Sequence, residues 1–238
     1  GNRTKYSSTS GAFDVWRDHM VNMGFGYPLG VDLPSEKSGF IPNSKFYTNV
    51  FKTDRWVAHN IISIAIGQGE ILATPLQIAN LGATIANRGY YYTPHVVRER
   101  KGASLDAAFT TRHETGINRE HYEVTVAGMA DAVTIGTCRG INLAPLVDVC
   151  GKTGTSENPH GDDHSIFMGF APKDNPQIAI AVVVENGRFG ATNAVPIARL
   201  MMQKFFSGEI PESDKWLETS IINRVILPYT YTRNMPAN

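Results

Sequence analysis

The chain has 238 residues, 42% hydrophobic and 18% charged, which fits one large globular domain or two small ones. Lys plus Arg and Asp plus Glu each total 22, so no basic excess or polybasic block draws the chain to nucleic acid or to an anionic membrane surface. The longest apolar runs, such as IAIAVVV at 178–184, are far too short to span a bilayer.

Residues 11–26, GAFDVWRDHMVNMGFG, predict a first helix with Phe13, Trp16 and Met20 on one stripe and Gly24 as its stop. Residues 26–43 are rich in Gly, Pro and Ser and read as a long ordered loop. The second helix is predicted over 73–89. Thr74 is its N-cap, Pro75 takes the first helical position, and Gln77 completes a capping box. Ile78, Leu81 and Ile85 form its expected buried stripe, and Gly89 ends it. Residues 90–97 read as extended and 98–106 as a polar excursion. A third helix is predicted over 118–133, capped by Asn118, with Tyr122, Val126, Met129 and Val133 sharing a face. Strands follow at 146–155, 164–172 and 177–186, then a helix over 191–208 that Gly208 closes. The residues beyond show no strong pattern. Turns this short imply antiparallel neighbours, so the fold class is α+β, helices packed on an antiparallel sheet.

Three stretches could carry chemistry. Lys152, Thr153, Gly154 and Thr155 end an apolar strand with a cation, two hydroxyls and a residue that lets another backbone come close. They suit an extended peptide that ends in a carboxylate; the plain alternative is a strand end with one solvated lysine. Lys152 and Gly154 point to one face and Thr153 and Thr155 to the other. Both pairs reach one ligand only along a free strand edge, so the reading requires an edge strand. His160, Asp162, Asp163 and His164 could bind a metal, but a turn between strands is expected to have this composition anyway, and no metal is assigned. Gly67, Gln68 and Gly69 precede the well-capped helix; an anion site there competes with a tight turn feeding a buried helix.

Three stretches, 24–43, 63–97 and 150–187, together resemble the class B penicillin-binding proteins, specifically transpeptidases of the penicillin-binding protein 2 type. They occur in the family's order and cover most of residues 11–208. The resemblance implies a partial penicillin-binding, serine β-lactamase-like transpeptidase fold. That family's site is lined by Ser-x-x-Lys, Ser-x-Asn and Lys-Thr-Gly. Only the third is present, at Lys152–Gly154. None of the thirteen serines has a lysine three positions on, and the sole Ser-x-Asn, Ser156–Asn158, directly follows Lys-Thr-Gly-Thr. The chain thus reads as the C-terminal part of a transpeptidase domain, cut after its nucleophile, with residues 1–212 in that domain and 213–238 a tail.

The resemblance implies acyl transfer from D-Ala–D-Ala stem peptides of peptidoglycan, through a serine acyl-enzyme, in a bacterial cell wall. Lys152 and Thr155 would be catalytic, and Thr153, Gly154 and Thr155 would bind substrate. No cofactor is implied. The implied partners are stem peptides, β-lactam antibiotics and a membrane glycosyltransferase of the elongation machinery, with no nucleic acid. The implied location is the periplasmic face of the inner membrane, with an anchor upstream; the chain by itself is expected to be inactive. A β-lactam hydrolase or sensor on the same fold, and a non-catalytic peptide-binding module, are the alternatives. Cys138 and Cys150 fit either a disulfide, permitted in the oxidising periplasm, or two buried thiols. A bridge closing a loop of this size would contribute roughly 3 kcal/mol in the chain-entropy model.

Overall fold

The computed structural model describes residues 5–99 and 101–226. The chain falls into two units, Gly1–Thr84 with Gly89–Asn118, and Ile85–Arg88 with Arg119–Asn238.

The first unit is helix and loop. Helix α1 spans Thr9–Asn22 and starts two residues before the predicted span, because the Ser8 hydroxyl accepts the Gly11 N–H at 3.0 Å. A second helix, α2 (Ser44–Phe51), is capped by the Asn43 carboxamide oxygen, which accepts the Phe46 N–H at 2.8 Å. Phe13, Tyr47, Trp56 and Ile64 form an aromatic core between α1, α2 and a 3-10 helix at Ala58–Ile66. The Tyr47 hydroxyl is not wasted there: it donates to Glu70 Oε2 at 2.6 Å, and burial raises its pKa.

The loop at 26–43 is ordered, as expected, and two carboxylates hold it. Glu36 accepts the N–H groups of Leu29, Gly30 and Val31 at 2.7, 2.9 and 3.1 Å. Asp32 accepts those of Val96 and Val97 at 2.8 and 2.9 Å, and these bonds, that from Val96 first, hold its carboxyl below the ordinary value. Helix α3 (Pro75–Ala86) begins with the predicted capping box. Thr74 N–H donates to Gln77 Oε1 at 3.0 Å, and Gln77 N–H to Thr74 Oγ1 at 3.2 Å. The predicted stripe needs correction: Ile78 and Leu81 are only half-buried, whereas Gln77, Asn80 and Thr84 are buried with Ile85. That polar face is buried because each group is bonded. Gln77 Nε2 donates to the carbonyls of Tyr27 and Ser38 at 3.0 and 2.9 Å, Asn80 Nδ2 to Met23 at 3.2 Å, and Thr84 Oγ1 to Asn80 at 2.8 Å. The extended residues after α3 form strand β1 (Tyr90–Tyr92). It pairs antiparallel with β2 (Arg112–Glu114), which follows a short helix α4 (Ala107–Thr110).

The second unit is the sheet with its helices. Helix α5 (Arg119–Thr134) buries Tyr122, Val126, Met129 and Val133, the predicted face. Strands β3 (Cys150–Ser156), β4 (His164–Ala171) and β5 (Ile178–Val184) form an antiparallel sheet in the order β3-β4-β5. β3 begins at Cys150 and not at 146, because Pro145 lies in a turn that brings Leu143 into a bridge with Val147. Helix α6 (Ala194–Ser207) ends on Gly208 at φ +79°, as predicted. Beyond it, α7 (Lys215–Ile222) follows a 3-10 turn at Glu212–Asp214. Among the described residues no helix is long and apolar enough to cross a membrane.

The two faces of the sheet are distinct. Residues opposite one another in an antiparallel ladder share a face, so Thr153, Phe167 and Val182 lie together. Phe167 and Val182 pack with Ala194, Val195, Ala198 and Met202 of α6, and with Cys138. Cys150 pairs with Phe170 on the other face, where its thiol lies 3.8 Å from the Val126 carbonyl of α5. Phe167 reaches over two facing glycines: a Cβ at Gly151 would lie 2.6 Å from its ring, and one at Gly169 2.7 Å.

Candidate active site

The four residues singled out at the strand end lie on β3, which is an edge strand, as the peptide-binding reading requires. Lys152 and Thr155 are exposed, and Thr153 and Gly154 half-buried. The Lys152 ammonium folds back on its own strand and donates to the Thr153 carbonyl oxygen at 2.7 Å. No carboxylate lies within 4 Å of it among the described residues. The Thr153 hydroxyl shares a 2.8 Å hydrogen bond with that of Thr137. Thr137 sits in the turn after α5, and no sequence pattern pointed to it. A Cβ at Gly154 would meet only Ile166, at 3.3 Å and beyond, so local packing tolerates a small side chain there more readily than at Gly151. The edge thus offers an ammonium, two hydroxyls and strand backbone, a set of donors that matches an extended peptide with a terminal carboxylate.

The neighbouring turn is structural. Asp162 pairs with Arg188 at 3.3 Å, Asp163 accepts the Asn158 N–H at 3.3 Å, and His164 Nδ1 accepts the Asn186 N–H at 3.1 Å. Asn158 Nδ2 donates to Asp162 O and Asn186 Oδ1, so the asparagine of Ser156–Asn158 is spent on bracing this turn. No three His, Cys, Asp or Glu side chains are grouped to hold a metal among the described residues. The glycines at 67 and 69 form a tight turn feeding α3. Gly39 lies against the Leu72 carbonyl and Gln77, so the helix start is occupied by the chain itself, not open to an anion.

The disulfide is not formed: Cys138 and Cys150 are both free and buried. The physical reason is the sheet between them. Cys138 lies in the core on the α6 face, and Cys150 points to α5 on the other. Burial raises the pKa of both thiols, that of Cys150 to about 11.

The family model of the penicillin-binding protein transpeptidase domain matches residues 12–203. The chain belongs to this family. Within it, the chain is 38% identical over 203 residues to the peptidoglycan D,D-transpeptidase MrdA of Acinetobacter baumannii, over 76% of this chain and 29% of that protein. It thus spans less than a third of that relative. The crystal structure of Pseudomonas aeruginosa PBP2 in complex with WCK 5153 superposes with a TM-score of 0.69 at 30% identity, over 82% of this chain and 44% of that one. A peptidoglycan synthase complex that coordinates polymerization and crosslinking superposes with a TM-score of 0.72 at 29% identity, over 84% of this chain and 34% of that one. The class B, PBP2-type assignment and the α+β fold are therefore established, and Lys152–Thr155 fall inside the matched region of the transpeptidase domain.

Proposed function

We propose that β3 is one wall of the active site of a peptidoglycan D,D-transpeptidase. The observation that carries this is the Lys-Thr-Gly-Thr sequence on the free edge of the sheet in a transpeptidase-domain chain. A serine attacks the carbonyl carbon of the penultimate D-alanine, a neighbouring base takes its proton and passes it to the leaving nitrogen, and the tetrahedral oxyanion collapses with release of D-alanine as the acyl-enzyme forms. An amine from a second stem peptide then displaces the serine and closes the cross-link. Lys152 supplies positive potential and assists proton transfer. The hydroxyls of Thr153 and Thr155 bind the substrate's terminal carboxylate, with Thr137 holding that of Thr153. The N–H of Thr155 is one of two oxyanion donors. Removal of one such donor costs about 10²–10³ in rate, so this strand alone does not carry the reaction.

No Ser-x-x-Lys occurs in these residues, and their one Ser-x-Asn, Ser156–Asn158, follows Lys-Thr-Gly-Thr directly and braces the turn, so in this reading the nucleophile is supplied by a part of the protein outside this chain. In this reading residues 1–212 belong to the transpeptidase domain and 213–238 are a tail. β-Lactams bind at the same edge as mimics of D-Ala–D-Ala. The protein acts on the periplasmic side of the inner membrane beside a glycan-polymerising partner, a reading supported by the likeness to the synthase complex.

Labelled penicillin tests this. The complete protein forms a covalent adduct and the present chain forms none. Lys152→Ala in the complete protein slows acylation by a hundredfold or more, the scale of a lost proton-transfer group, while its melting temperature stays unchanged because the side chain is exposed. Unchanged acylation would make Lys152 an ordinary strand-end lysine. An adduct on this chain alone would refute the split site.

A further inference from the structure

We propose that the first unit carries a binding site for a carboxylate-bearing sugar, in the cavity of about 350 Å³ lined by Arg17, Gly26, Phe40, Ile41, Asn43, Lys45, Phe46 and Asn49. The proposal goes beyond the transpeptidase reading. It rests on no residue of β3 and stands or falls independently of Lys152.

The cavity has the size of a small-ligand site, at the lower end of the range, which fits one ring and not a chain of rings. Its charge is positive. Arg17 and Lys45 both line it, and among the described residues Lys45 has no carboxylate within 4 Å. Among the described residues the only carboxylate Arg17 reaches is that of Asp18, at 3.9 Å, and it is 72% exposed. The Nε of Arg17 is buried and has no acceptor among the described residues. A buried guanidinium donor without an acceptor is costly, and an incoming carboxylate that re-seats the side chain relieves that cost with a paired bond. The nearby carboxylate of Asp14 does not fill this role, because it is taken up by the N–H and hydroxyl of Ser44, at 2.9 and 2.6 Å.

The remaining lining selects for a ring. Phe40 and Phe46 meet edge to face with centroids 5.3 Å apart, and so present apolar surface on which the C–H face of a pyranose packs. Asn43 uses its carboxamide oxygen to cap α2, which leaves its two N–H donors for ring hydroxyls. Asn49 adds a second, exposed carboxamide. A wholly apolar ligand would leave two cations unpaired, and a bare anion would leave the aromatic lining unused.

The test is titration of the isotope-labelled chain with D-glucuronate, D-glucose and inorganic phosphate, followed by backbone amide NMR. D-Glucuronate is expected to saturate at millimolar concentration, with shifts confined to residues 14–50 and an affinity at least tenfold above that of D-glucose. Lys45→Gln, at an exposed position that leaves folding intact, lowers this affinity about tenfold. Arg17→Gln does the same or more, and Arg17→Lys, which keeps the charge, loses less. Lys152→Ala changes nothing. Equal affinity for glucose and glucuronate would overturn the role of the cations. Phosphate binding as tightly as glucuronate would overturn the recognition of a ring. Shifts that Lys45→Gln leaves untouched would place the ligand elsewhere.

Discussion

Replacing Gly151 with alanine tests how the strand before Lys152 is held. The new Cβ would lie 2.6 Å from Cε2 and Cζ of Phe167. Carbon atoms in contact prefer about 3.5–4.0 Å, so the ring has to retreat by roughly 1 Å. It has little room to do so. Phe167 is fully buried against the residues of α6, and it also lies over Gly169 on its own strand. Overpacking of a filled core costs about 1–3 kcal/mol; a wedged aromatic ring puts this variant near the upper end. A domain of this size loses about 2–4 °C of melting temperature per kcal/mol, so the expected drop is roughly 5–10 °C by circular dichroism. Combining Gly151→Ala with Phe167→Leu separates the cause from a backbone effect. If the clash is with the ring, the double variant is less destabilised than the sum of the two single ones, by more than about 0.5 kcal/mol. A melt within about 1 °C of the parent, or strict additivity, would refute the account of the glycine pair.

Other outcomes follow from the same contacts. Gln77→Ala removes a buried side chain that accepts from Thr74 N–H and donates to the carbonyls of Tyr27 and Ser38; it should cost about 3 kcal/mol by chemical denaturation, against about 1 kcal/mol for Thr74→Ala. Burial pushes the Asp214 carboxyl up, but hydrogen bonds from Arg199 and Gln203 and the Arg199 charge outweigh it and leave the pKa below its ordinary value. A carboxyl depressed in the folded state stabilises at pH above its unfolded pKa of about 3.9 and loses that contribution as pH falls through the folded value. Denaturation midpoints should therefore drop below pH 4, and Asp214→Asn should flatten that part of the profile. Both thiols should resist alkylation at pH 8 in the native chain and react at once on unfolding without reductant; a two-dalton mass deficit would instead reveal a bridge.

Much of the second unit was legible because its signals are local. The face of α5 follows from helical spacing of Tyr122, Val126, Met129 and Val133, and three apolar runs parted by Gly-, Asn- and Asp-rich turns read as an antiparallel sheet. What escaped was short or non-local. Helix α2 has eight residues and announces itself only through Asn43. Strand β2 is three residues long and exists because β1 pairs with it. Helix α3 buries Gln77, Asn80 and Thr84, which a hydrophobic pattern assigns to solvent; the partners of Gln77 and Asn80 on Tyr27, Ser38 and Met23 lie more than 35 residues away. At the site, Lys152–Thr155 were visible as a motif, whereas Thr137 became visible only through its bond to Thr153. The sequence left Cys138 and Cys150 as either a bridge or two buried thiols, because spacing along the chain does not report which side of a sheet a thiol occupies.

The folded-back ammonium of Lys152 has a bearing on solubility. An unprotected sheet edge is a template on which another copy of the same strand can stack, and the run from Cys150 to Ser156 carries few features that would stop it. A cation tied to the Thr153 carbonyl places one charge on that rim at every copy. Two such rims meeting edge to edge would bring like charges together and strip each lysine of its acceptor. A short guest strand that ends in a negative group meets no such repulsion. The side chain proposed to serve a peptide at this edge would therefore also keep the edge closed to its own kind.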